Sequence, residues 1–241
     1  MGFDSGAGAV LMSPSKKSPP QSEATERQRV PRIRDRLYIP GLLYSEILDR
    51  PLSGIRRKVR ELVRAGSLFP LLDICCGPGT QCGRLKRDGG PIFGLDINLR
   101  MTKYAAARHP GVLFICADAV ALPFQPGIFR GIIISFALHE KPPWIRPRVL
   151  AAAKEILAPG GRIILVDFEQ PWSAGSRAAL CYVSVIERLA GREHFRNGRD
   201  FLGRGGLETI LRDHGFTEVG RSNIEAGSCA IVLARVSGPE I

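Results

Sequence analysis

Apolar residues first recur at helical spacing in SGIRRKVRELVRAG (53–66), where Ile55, Val59, Leu62 and Val63 form one stripe, Ser53 is placed to cap the first turn and Gly66 lies just past the last. Upstream, YIPGLLYSEILDR (38–50) predicts a short helix carrying Tyr38 and Tyr44. Beyond Gly66 the pattern changes to short apolar runs that end in polar residues: LLD at 71–73, GLD at 94–96, VLFICAD at 112–118, GIIISF at 131–136 and RIILVDF at 162–168. Helix-length gaps separate these runs, and strand alternating with helix is the pattern of a parallel α/β sheet. GIIISF is almost continuously apolar, as expected of a central strand covered on both faces. Asn98 is placed to cap a helix through about Arg108, and Pro147–Leu157 reads as a helix stopped by Pro159-Gly160-Gly161. After a helix near Leu207–His214, TEVGRSNI and SCAIVLARV are two strands joined by a short turn, so they pair antiparallel if they are neighbours. The expected architecture is a seven-stranded, mostly parallel sheet with helices on both faces and an antiparallel last strand.

Within that frame, LLDICCGPGTQ (71–81) reads as strand, tight loop and helix start, and GLDIN (94–98) as a second strand ending in an acid, with Asp96 lying 23 residues beyond Asp73. Parallel strands share one carboxyl-terminal edge, so Asp73, the Gly77–Gly79 loop and Asp96 are expected around one crevice. A carboxylate there can accept both hydroxyls of a ribose, which is the role expected of Asp96. Gly77 and Gly79 allow a sharp turn and close approach of a ligand. The dinucleotide pattern G-x-G-x-x-G fails at Cys82, and Pro78 removes a backbone N–H from the loop, so a nucleoside without phosphates fits better than a pyrophosphate. A purely structural turn is the alternative.

LLDICCGPGTQ, GLDIN, CADAVALPF (116–124), IIISFALHE (132–140) and LAPGGRIILVDF (157–168) occur in the order and spacing of the class I S-adenosylmethionine-dependent methyltransferases. The chain resembles that family, and within it the small-molecule branch that includes the ubiquinone and menaquinone biosynthesis methyltransferases. The resemblance implies a Rossmann-like fold, S-adenosyl-L-methionine as cofactor with S-adenosyl-L-homocysteine as product, and in-line displacement of the methyl group. It implies cofactor contacts from Asp73, Cys75, Gly77, Gly79, Asp96, Ile97 on an adenine face, Asp118 and the Ala119 backbone on the adenine edge, and Ser135 at the end of the fourth strand. Asp118 read as a cap of the following segment is the alternative. One departure stands out: Cys75 replaces the first glycine of D-x-G-x-G-x-G. A small side chain is expected to be tolerated there, provided that the backbone does not need a positive φ.

ALHEKPPW (137–144) follows the fourth strand, where the methyl donor is expected to point, and makes His139 the candidate catalytic base or acceptor contact. Glu140 and Trp144 lie beside it. Residues 169–201 form a longer connection than usual, with an amphipathic helix near Ser176–Ala190 followed by GREHFRNGRDF, so Tyr182, His194, Phe195 and Arg196 are candidate acceptor-pocket residues. Tyr44 is a candidate cover of the crevice. For these residues, packing or dimerisation is the competing explanation.

The chain has 241 residues, enough for one such domain over 37–241 preceded by a basic tail over 1–36 that is expected to be disordered. The formal net charge of +11 permits an acidic small molecule, nucleic acid or peripheral contact with an anionic membrane. An RNA methyltransferase using the tail and Arg56, Arg57, Lys58, Arg60 and Arg64 is one alternative; a silent cofactor-binding partner subunit is another. A small-molecule acceptor is preferred over nucleic acid because ALHE stands where an N-P-P-Y signature would. The six cysteines lack any C-x-x-C and read as reduced thiols of a cytoplasmic protein, with no metal site expected. The acceptor atom and the oligomeric state are left open.

Overall fold

A computed structural model describes residues 52–169, 192–224 and 229–238. The expected tail at 1–36, the helix with Tyr44, and the helix at 176–190 with Tyr182 lie outside the described residues. Helix α1 (Ser53–Ala65) buries Ile55, Val59 and Val63, one residue per turn, as the apolar stripe requires. Ser53 is not its cap: Leu52 holds that position without a side-chain bond, because Ser53 already belongs to the first helical turn. On the polar face Arg60 grips Asp88 through contacts of 2.6, 2.8 and 3.1 Å, and Arg64 lies 3.8 Å from the same carboxylate. Those bonds to Arg60 hold the Asp88 carboxyl below its ordinary range. Two of the five basic side chains expected to meet phosphate are thus turned toward an internal acid.

The chain continues through β1 (Leu71–Ile74), α2 (Thr80–Leu85), β2 (Ile92–Asp96), α3 (Leu99–Arg108), β3 (Leu113–Cys116), β4 (Phe129–Ser135), α4 (Arg146–Ile156) and β5 (Leu157–Phe168). After the undescribed stretch come α5 (Arg192–Gly203), α6 (Gly206–Asp213), β6 (Phe216–Ile224) and β7 (Cys229–Val236). The seven strands lie in the order β3-β2-β1-β4-β5-β7-β6. Strands β1 to β5 pair in parallel, and β7 runs antiparallel between β5 and β6, as expected. Asn98 does cap α3, its side chain accepting from the backbone N–H groups of Arg100 and Met101.

Alternation sorts the buried residues onto two faces. Leu72, Ile74, Ile132, Ile134, Ile163 and Leu165 join one core with Leu150, Leu207 and Phe201. Leu71, Ile133, Ile164 and Val166 join another with Val59, Val63, Cys82 and Leu85. Strand β5 departs from expectation at its start. The preceding helix ends at Ile156, within a residue of the expected end, but Pro159-Gly160-Gly161 lies inside the strand as an irregularity: Phe129 pairs with Leu157 and Gly131 with Arg162. Leu157 is already extended, and Gly160 takes φ +74, which absorbs the extra residues.

Candidate functional site

Strand order reverses between β1 and β4, so the segments after β1, β2 and β4 border one crevice at the carboxyl edge of the sheet. On the β1 side Asp96 accepts the Gly77 N–H at 2.9 Å through one oxygen and the Asn98 N–H at 2.9 Å through the other. The expected proximity of the glycine loop and Asp96 is therefore a direct bond, and each carboxylate oxygen keeps further acceptor capacity. Gly77 has φ +52 with nothing within 4 Å of the position a Cβ would take, so there is room above the loop. Gly79 has φ +73, and a Cβ there would meet the Phe114 ring at 2.6 Å, which demands glycine twice over.

Cys75 overturns the expectation set for it. Its φ is +59, the left-handed region that a glycine would occupy without strain. The side chain is held against the core, and burial pushes its thiol up to about 12. Asp73 lies beneath the loop rather than open to the crevice, 3% exposed, with the Cys82 thiol 3.3 Å from its carboxylate. Burial pushes its carboxyl up to about 7, with the Cys82 hydrogen bond and the charge of Arg56 pulling partly back.

Past β2, Ile97 is 55% exposed, an apolar surface at the rim where an adenine face is expected. Asp118 lies two residues beyond the end of β3 and accepts the Val120 N–H at 3.1 Å, closing a turn rather than capping a helix. Lys141, which sequence reasoning passed over, stands in the field of the same acids. Burial pulls its ammonium down, and Cys75, Glu140, Asp96 and Asp118 outweigh that pull and raise it. Its closeness to them follows from a turn after β4 that no local pattern announces.

The β4 side is built around Asp167. Ser135, half-buried at the strand end, pairs with Val166, so the next residues of β4 meet Asp167 at the end of β5. The Asp167 carboxylate accepts the N–H groups of Leu138 at 3.1 Å, His139 at 3.2 Å and Phe168 at 2.9 Å. Its Oδ1 also lies 2.6 Å from His139 Nδ1. With the carboxylate as acceptor, Nδ1 carries the hydrogen, so in the neutral imidazole Nε2 has the lone pair. His139 is 2% exposed, and its ring meets that of Phe168 edge-on at 4.7 Å. In the sequence Asp167 stands out only as the end of a strand; the signal was an acid closing the run next to the histidine's own.

From α5, His194 stands 3.6 Å from Glu140 and its ring lies 5.6 Å from that of His139. The ligand atoms of His139, Glu140 and His194 lie within 4.8 Å of one another, which makes them a possible metal-ligand set. Buried Asn197, one turn along, donates to the Glu140 carbonyl at 2.9 Å and joins the helix to this turn. Trp144 is 56% exposed, and Arg196 lies on the exposed side of α5, with Phe195 half-buried between its neighbours.

A protein-family profile described as a methyltransferase domain matches residues 71–161. The chain is 33% identical over 196 residues to a demethylmenaquinone methyltransferase of Renibacterium salmoninarum, covering 76% of this chain and 81% of that one. It is 33% identical over 139 residues to a 2-phytyl-1,4-naphtoquinone methyltransferase of Thermosynechococcus vestitus, covering 54% and 61% respectively. The fold is similar to that of magnesium protoporphyrin IX methyltransferase from Synechocystis, solved with S-adenosylhomocysteine, at a TM-score of 0.55 and 20% identity over 77% of this chain and 83% of that one.

Proposed function

This chain belongs to the class I S-adenosylmethionine-dependent methyltransferases, and we propose that the small molecule it methylates is a hydroxyl-bearing aromatic ring of the reduced-quinone type. The enzyme uses S-adenosyl-L-methionine and acts on a small molecule; the ring type is inferred. It draws on what the two relatives are named for. The observation that carries it is the His139–Asp167 pair, 2.6 Å apart at the strand ends and edge-on to Phe168.

The residues present fit the cofactor: open space over Gly77, an acid at the end of β2 and the exposed Ile97 beside it. Asp96 would hold the ribose, Ile97 an adenine face, Asp118 and the Ala119 backbone the adenine edge, and the Gly77–Gly79 loop with Ser135 the remainder. Bound there, the cofactor supplies an electrophilic methyl group on a sulfonium. His139 takes the hydroxyl proton of the acceptor on Nε2, which raises the electron density of the ring or oxygen that is methylated. Asp167 acts through His139 as a positioning residue, fixing the tautomer and the ring orientation. Phe168 and Phe136, with ring centroids 5.6 Å apart, offer apolar surface to an aromatic acceptor.

Among the described residues no helix is long and apolar enough to cross a membrane. Cys75, Cys76, Cys82 and Cys116 are free thiols, which supports a reducing, cytoplasmic setting. An acceptor with a hydrocarbon tail would be met at a membrane surface, and the net charge of +11 suits peripheral contact with anionic lipid. The test is to offer methyl-labelled S-adenosylmethionine with a reduced 2-alkyl naphthoquinone, a catechol and total RNA. Label in the naphthoquinol, verified by mass, is expected. Label in RNA, or none in either ring despite intact S-adenosylhomocysteine binding, would refute the reading.

A further inference from the structure

We propose that His139, Glu140 and His194 form a binding site for a divalent transition-metal ion of the zinc type. Two imidazoles and a carboxylate are a donor set suited to such ions, and they leave positions open for water or an acceptor oxygen. The three come from two places: a turn after β4 and the first turn of α5, 54 residues apart between Glu140 and His194. Their ligand atoms nevertheless lie within 4.8 Å of one another, with His194 Nε2 3.6 Å from Glu140 Oε1. Metal–ligand bonds of about 2.0–2.2 Å at tetrahedral angles set donor separations of about 3.3–3.6 Å. The His194–Glu140 pair, at 3.6 Å, is close to that, and no separation within the set exceeds 4.8 Å.

The surroundings are those of a ligand histidine. Asp167 holds His139 Nδ1 at 2.6 Å, which assigns ligation to Nε2, the carboxylate–histidine arrangement typical of metal sites. Buried Arg146 clamps the other side: it donates to the Leu138 carbonyl at 3.0 Å and the Asn197 carbonyl at 2.7 Å, and pairs with Asp200 at 2.8 Å. With the Asn197 bond to Glu140, these contacts lock α5 to the turn and fix His194 beside Glu140. Glu140 and Asp167 balance the two charges of the ion; Lys141 opposes it, so the imidazoles must supply much of the affinity.

This inference goes beyond the methyl-transfer reading and does not depend on it. One lone pair on His139 Nε2 serves either a metal or a proton, so the two roles exclude each other at any moment. The experiment treats the full chain with a chelator, removes the chelator, and titrates the protein with Zn²⁺ by calorimetry and with Co²⁺ by visible absorption. One saturable equivalent, with ligand-field bands in the visible, is expected. His194→Ala and Glu140→Gln should each weaken binding by about 10-fold or more, and Asp167→Asn by about 10–100-fold. Retained S-adenosylhomocysteine binding certifies the fold of each variant. Absence of saturable binding to the unaltered protein, or binding unchanged in both His194→Ala and Glu140→Gln, overturns the site. Turnover of the Zn²⁺-loaded enzyme is a separate readout: inhibition relieved by chelator agrees with His139 as base, while full activity with bound metal would remove that role and leave the metal site standing.

Discussion

Replacing Asp73 by Asn should remove a fall of stability with rising pH, by an amount that the burial of this residue sets. The carboxyl is 3% exposed and pushed up to about 7 by desolvation. An aspartate in the unfolded chain titrates near 3.9, and a gap of about 3 units corresponds to about 4 kcal/mol. The folded protein therefore holds this proton more tightly than the unfolded chain does. The stabilisation is fully present below the unfolded value and is lost as pH rises through about 7. The amide introduced by Asp73→Asn keeps the shape and an oxygen for the Cys82 thiol but has no charge to bury. The variant should gain on the native protein by up to about 4 kcal/mol between about pH 4 and about pH 8. Urea unfolding of both cofactor-free proteins at several pH values and constant ionic strength reads this directly. A stability difference that stays constant across that range would refute the argument. An acid kept at such a cost beneath the Gly77–Gly79 loop is the pattern of a residue retained for function rather than for the fold.

Two further substitutions probe the same loop. Cys75→Gly removes a left-handed non-glycine backbone and should stabilise the protein by about 1 kcal/mol in urea unfolding, since the strain relieved slightly exceeds the added chain entropy; a loss of stability would mean that the packing of the thiol outweighs the strain. Asp96→Ala should weaken S-adenosylhomocysteine binding by at least about 1–3 kcal/mol by calorimetry, because Gly77 and Asn98 also lose their acceptor. Unchanged affinity would contradict the ribose assignment.

What was legible in the sequence was what the chain states locally. The strand runs, the Asn98 cap, the antiparallel β7 and the meeting of Asp96 with the glycine loop follow from periodicity and from the shared edge of parallel strands. What was not legible depends on register between distant segments. Asp167 reaches His139 across 28 residues only because Ser135 pairs with Val166. His194 reaches Glu140 only because Arg146 and Asn197 fasten α5 to the β4 turn. Pro159-Gly160-Gly161 carried every mark of a helix stop, yet the strand runs through it because Phe129 offers Leu157 a partner before the irregularity. At Cys75 the residue type argued against the backbone that the loop imposes, a local rule broken at the loop proposed to hold the cofactor.

We assign methyl-donor binding to one end of the crevice and service of the acceptor to His139, held by Asp167. Turnover and S-adenosylhomocysteine affinity of His139→Asn, which keeps an N–H for Asp167, measure both on one preparation. Turnover lower by about 10²–10⁴-fold with affinity essentially unchanged is expected. Loss of affinity in step with turnover, or turnover left intact, would contradict it.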